Sequence, residues 1–208
     1  MDRPHLLTVD IDEYMSKMSE EDRHIYNLLS STPESPDEVH VRRSLRATFI
    51  HCVSHARPYQ YLAGSCIPDT KCGFQPPRWR YGYKFTYEQA LAVNQENAPE
   101  DERTPPLSFF QEICDESVDV KKERSMVAGW WLKTRVQSML EFRHEVGFKS
   151  VWDRGEKVQM FAFRDSWYSG DPLLGATVDE ISELMFGKYV EPLWYLDAYH
   201  CFWYEKRK

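Results

Sequence analysis

The sequence predicts an α+β protein. N-terminal helices lead into a largely antiparallel, barrel-like sheet that carries one late helix. Three observations predict this. Apolar residues recur at helical spacing within residues 10–55. Aromatic residues alternate with other types over residues 79–87, the period of two that marks a strand. Two apolar runs flank Asp153-Arg154-Gly155-Glu156, a hairpin signature. The expected division is a helical N-terminal extension over residues 1–60 and a β-rich domain over 61–208, with an inserted loop near 98–107.

Residues 10–30 read as helical. Ser19 can cap a helix whose first turn holds Glu20, Glu21 and Asp22, acidic groups that complement the positive end of the helix dipole. Ile25, Leu28 and Leu29 supply one apolar face. Ser31-Thr32-Pro33-Glu34-Ser35-Pro36 breaks the pattern. A second helix is expected over residues 37–55, with Val41, Leu45, Thr48 or Phe49, and Cys52 at helical spacing. Residues 58–77 contain four prolines and read as loop. In the strand that follows, Trp79, Tyr81, Tyr83, Phe85 and Tyr87 form one face and Arg80, Gly82, Lys84 and Thr86 the other. The aromatic face is expected to turn inward and the basic face to be solvated.

Residues 88–97 read as a short helix, and 99–106 as an exposed loop. Residues 126–134 and 136–143 fit one long helix or two strands. Gly129 and the adjacent Trp130 and Trp131 favour strands. Residues 148–152 and 158–164 form the hairpin arms. Thr177-Val178-Asp179-Glu180 is a capping box opening a helix that ends near Gly187. Residues 199–204 read as a last strand, though Pro192 could equally start a helix.

Composition narrows the function classes. Among 208 residues, 33 are acidic and 26 are Lys or Arg, a net charge of −7. Duplex nucleic acid is disfavoured, because its binding rests on neutralising phosphates. No apolar run is long enough to span a membrane. The start, Met1-Asp2-Arg3-Pro4-His5, lacks the pattern of a secretory signal. The five cysteines are an odd number, and a reduced, cytoplasmic setting is expected. There is no P-loop, Rossmann fingerprint or G-x-S-x-G elbow, and no cofactor is expected.

Two patterns offer possible metal ligands. Cys52-x2-His55 with Cys66, Cys72 and His51 offers nitrogen and sulfur donors, but the Cys66-x5-Cys72 spacing is wider than zinc sites use. Acidic-x-x-His recurs at Glu21/His24, Asp37/His40, Glu141/His144 and Asp197/His200. A di-iron bundle would need long helices to present such pairs, and the prolines deny them. No metal is assigned. Arg78 to Tyr87 interleaves basic and aromatic residues, but strict alternation puts stacking and phosphate contact on opposite faces of the sheet.

Ser125-Met126-Val127-Ala128-Gly129-Trp130-Trp131-Leu132, the arms at 136–142, 148–152 and 158–163, and Phe85-Thr86-Tyr87-Glu88 together resemble the phenolic acid decarboxylases. These are small cofactor-free lyases with a calycin (lipocalin-like) barrel. The resemblance covers about a third of the chain. It implies a calycin-like barrel and an aromatic pocket. The family's catalytic arginine falls on Trp130, its catalytic glutamate on Arg154 and one of its paired tyrosines on Phe85, so the family's own chemistry is not carried over. A closed barrel of about eight strands would enclose one small ligand.

The expected function is therefore binding of a small aromatic or apolar molecule. Any catalysis would be that of a cofactor-independent lyase or isomerase acting by acid–base chemistry. Tyr87, Tyr83, His200, Asp153 and Glu156 are the catalytic candidates. Trp130, Trp152, Phe161 and Phe85 are the candidates for lining the pocket. The alternative is a protein–protein interaction module, and either form could be a homo-oligomer.

Overall fold

A computed structural model describes residues 11–44, 50, 53–60, 62, 66–67, 73–115, 117–141, 146–167 and 175–205. The chain opens with helices α1 (Ile11–Ser16) and α2 (Glu20–Ser30). Ser19 Oγ accepts the Asp22 N–H at 3.1 Å, satisfying one of the donors a helix start leaves open. Ile25, Tyr26 and Leu29 are buried. Helix α3 (Pro36–Ser44) follows the proline break. Ile50, Val53 and Ser54 are again helical, while Leu45, Thr48, Phe49, His51, Cys52 and Cys72 lie outside the described residues, as does His144.

Six strands are described: β1 (Phe74–Gln75), β2 (Trp79–Lys84), β3 (Gly147–Asp153), β4 (Glu156–Asp165), β5 (Leu193–Asp197) and β6 (Tyr204–Glu205). Helices α4 (Tyr87–Asn97), α5 (Leu107–Ile113) and α6 (Val120–Met139) lie between β2 and β3, and α7 (Gly175–Phe186) between β4 and β5. Strands β2, β4, β3 and β5 pair antiparallel in that order and close into a barrel, while β1 pairs with β6. The architecture is the expected α+β one, with N-terminal helices, an antiparallel barrel-like sheet and a late helix. No helix among the described residues is long and apolar enough to cross a membrane.

The barrel has four strands, fewer than the roughly eight expected to enclose a cavity. Register places Gly82 opposite Ala162 and Leu193, and Arg80 opposite Tyr195. The residues on that face include Val151, Met160, Ala162 and Tyr195, which form a small buried cluster of their own. They fill the barrel. The opposite face carries Trp79, Tyr81, Tyr83, Phe161, Phe163, Trp194 and Leu196, which join the main core with α2, α6 and α7. Trp79, Tyr81, Tyr83 and Phe85 are buried as expected, but against the helices; the strand ends at Lys84, and Tyr87, expected on the same strand face, is half-buried as the first residue of α4. Arg80 is not solvated: it is 3% exposed inside the barrel, because Asp197 and Asp165 accept its hydrogen bonds.

The hairpin forms as expected. Arg154 and Gly155 both have positive φ, +51° and +91°, as a two-residue turn matched to the strand twist requires. The turn is anchored by Arg154 N–H to Ala56 O and Gly155 N–H to Ser54 O.

Three elements differ from expectation. Residues 126–139, which fit helix or strands with strands favoured, belong to α6, while residues 142–143 of that stretch lie outside the described residues. Asp119 caps this helix by accepting the Lys121 and Lys122 N–H groups. Its buried residues Ser125, Ala128, Gly129, Leu132 and Val136 follow helical spacing. Gly129 is there for close packing: an added Cβ would lie 2.5 Å from the Tyr87 ring. Helix α7 starts at Gly175, so Thr177 lies inside it instead of capping it. Its end is as expected, with Gly187 at φ +65° and its N–H on Glu183 O. The last barrel strand is β5, directly after Pro192, and of the strand expected over 199–204 only Tyr204 lies in a ladder, as the first residue of β6. Trp194, Tyr195, Leu196 and Asp197 are all buried, so β5 shows no alternation for a sequence reading to detect.

Gly82 sits where β2 shifts register between Tyr81 and Gly82. A Cβ there would lie 2.1 Å from the Phe161 carbonyl oxygen, a backbone atom that cannot swing away. Gly82→Ala is expected to lower the melting temperature by more than about 4 °C or to prevent folding. Gly73→Ala, with nothing within 4 Å of the added carbon, is expected to leave it nearly unchanged. Thermal unfolding of the two variants checks this.

Candidate functional site

Among the described residues, two places concentrate chemistry. The first is a cleft between α4 and the end of α7. Thr86 caps α4 and forms a reciprocal box with Gln89: Thr86 Oγ1 accepts the Gln89 N–H, and Gln89 Oε1 accepts the Thr86 N–H. That start sets the face of α4 that carries Gln89, Ala92, Val93, Glu96 and Asn97. With Phe85 and residues 183–187 they line a space of about 300 Å³. Phe85, Val93 and Met185 are buried and form an apolar floor. The Phe186 ring stands at 90° to Phe85, 5.6 Å away, and edge-on to Tyr83 at 4.9 Å. Gln89, Glu96, Asn97 and Glu183 are exposed at the rim.

The second place is the end of the barrel. Arg80 Nε donates to Asp197 Oδ2 at 2.8 Å, and its NH1 lies 3.5 Å from Asp165 Oδ2. Arg78 NH2 donates to the same Asp165 oxygen at 2.7 Å. Asp197 Oδ1 accepts the backbone N–H groups of Tyr199 and His200, and lies 3.1 Å from His200 Nδ1. Burial alone would raise the Asp197 carboxyl. The Arg80 hydrogen bond, the Tyr199 N–H, the Arg80 charge and His200 outweigh burial and hold it below the ordinary value of 3.8. Trp167 covers this end: the Arg78 guanidinium lies 5.0 Å from its ring, and the His200 ring is 5.5 Å away.

The titratable candidates from the sequence are not gathered around one cavity. Tyr83 is buried behind Phe186, and burial pushes its phenol up to about 12. Tyr87 stacks on Phe148 at 3.9 Å. Asp153 and Glu156 face each other across the hairpin turn, where Lys84 donates to Asp153 at 3.1 Å and Glu156 is exposed. His200 lies at the barrel end with Asp197. Of the expected lining residues, Phe85 reaches the cleft. Phe161 is buried against Phe148, Trp152 packs on the main core, and Trp130 is 67% exposed on α6. For metal, no group of three His, Cys, Asp or Glu side chains among the described residues could hold an ion.

Sequence reasoning missed Val93, Glu96, Glu183, Met185 and Phe186, which carry no motif. It also missed Arg80 as a buried ion. The Asp197-x-x-His200 spacing was a usable signal, but the pair closes a turn after β5 instead of lying on a helix. Comparison with family models, curated proteins and solved structures finds no match for this chain.

Arg80→Met would leave two buried carboxylates short of a cation. It is expected to cost about 3–5 kcal/mol, read from urea unfolding at neutral pH. The lowered folded-state pKa of Asp197 gives a second expectation. Its stabilisation is present above the ordinary carboxyl value of 3.8 and fades as pH falls through the lower folded value. Asp197→Asn is thus expected to be less stable at pH 7 and to lose less stability on acidification than the parent. A pH series of melting temperatures checks the sign.

Proposed function

We propose that this protein is a binding domain for a small, largely apolar or aromatic molecule, held in the cleft between α4 and α7. One observation carries this reading. The cleft has a buried apolar floor of Phe85, Val93 and Met185 under an open rim, whereas the four-stranded barrel is filled by its own side chains. Binding sites are concave, mostly apolar and edged by a few polar groups. A volume of about 300 Å³ suits a molecule the size of one or two fused rings. The reading requires no catalytic step, because Tyr83, Tyr87, Asp153, Glu156 and His200 lie in separate places. We place the activity in the cytoplasm, where a reducing setting keeps Cys66, Cys114 and Cys201 as thiols.

A protein-interaction role has its own observation. Phe109 and Ile113 on α5, and Val127 and Trp130 on α6, are 45%, 63%, 43% and 67% exposed. Each pair lies at helical spacing on one face.

Ala92 is exposed on the cleft wall. Ala92→Trp is expected to fill the space, lowering the affinity for indole at least tenfold with little change in melting temperature. Ligand-observed NMR titration measures it. Indole binding that survives Ala92→Trp would overturn the cleft as the site. A docked protein partner would respond to Trp130→Glu and be indifferent to Ala92→Trp.

A further inference from the structure

We infer that the ligand of the α4–α7 cleft carries a positive charge: a small ammonium compound with a short aromatic or alkyl body. The inference rests on the cleft being the binding site and names the chemical class it takes. Four features point the same way. Glu96 and Glu183 approach the rim from two different helices. Among the described residues neither carboxylate has a hydrogen bond or an ion pair.

The wall at residues 183–187 is the C-terminal end of a twelve-residue helix. That end carries the negative pole of the helix dipole, where cations are favoured. No Lys, Arg or His lines the cleft; Lys188, the next residue along, is exposed and outside the lining. The lining also includes the half-buried ring of Phe186, and aromatic rings attract cations through their negative faces.

The two halves of the site then have separate roles. The apolar floor holds the body of the ligand by excluding water. The rim carboxylates and the helix end select its charge. An anion of the same shape would meet two like charges and the wrong pole of the helix. The chain's net charge of −7 also favours encounter with cations over anions.

Tryptamine, indole and indole-3-acetate share one ring system and carry positive, zero and negative charge. Titration of the three into the full-length protein at low salt, by calorimetry, tests the inference. Tryptamine is expected to bind about three- to tenfold tighter than indole, the range two exposed ion pairs supply, and indole-3-acetate more weakly than indole. In the Glu96→Gln, Glu183→Gln double variant the preference should fall to about twofold or less, what an exposed helix end alone supplies, with the melting temperature unchanged. Added salt should shrink the preference in the parent more than in the double variant.

Indole binding as tightly as tryptamine, and still lost in Ala92→Trp, would overturn the charge selection and leave the cleft as the site. A tryptamine preference that persists undiminished in the double variant would also overturn it. Absence of binding by all three would overturn both the charge selection and the cleft. A lysine-containing peptide that binds where tryptamine does not would overturn the free small molecule in favour of a partner's side chain.

Discussion

The guanidinium of Arg80 inside the barrel is the constraint on which the other features depend. A cation 3% exposed among Val151, Met160, Ala162 and Tyr195 is tolerated only with carboxylates against it. Asp197 at the end of β5 and Asp165 at the end of β4 supply them. The same carboxylates reach further. Asp165 binds Arg78 and accepts the Trp167 N–H, and Asp197 organises the turn that presents His200. These contacts pin β2 to both of its neighbours. They also set its register, since a slip of one residue would turn Arg80 toward the helices and Trp79 and Tyr81 into the barrel.

Once register is set, the location of the proposed binding cleft follows. Four strands enclose too little space for a ligand, and the enclosed space is occupied. The outer aromatic face must therefore be covered, and the helices cover it. Phe186 at the end of α7 packs on Tyr83 and Phe85, while Gly129 lets α6 approach the Tyr87 ring at the start of α4. The helices leave a gap where the end of α7 meets the exposed side of α4. The barrel acts as the scaffold and the helix layer carries the cleft.

What was legible in the sequence was local. Ser19 before three acidic residues marks α2, alternation marks β2, and the Arg154-Gly155 turn marks the β3–β4 hairpin. Each signal sits within a few neighbouring residues. What was not legible depends on distant contacts. The strand-like Gly129-Trp130-Trp131 belongs to α6 because Asp119 caps the helix and Tyr87 packs on the glycine. Strand β5 is buried on both faces and so lost its alternation. Arg80 looked like a solvated residue because its partners lie 85 and 117 positions away. The cleft draws on residues 85–97 and 183–187, and no spacing rule joins two segments so far apart.

The most direct measurement is a backbone-amide NMR titration of the isotope-labelled protein with tryptamine, following every assigned resonance in parallel. Shifts that saturate together and cluster on Ala92, Val93, Glu96, Met185 and Gly187, with Val151, Ala162 and Tyr195 unmoved, are the expected result. Saturable shifts centred on the barrel-filling residues, with α4 and α7 unmoved, would contradict the claim that the barrel is scaffold and the helix layer is the site.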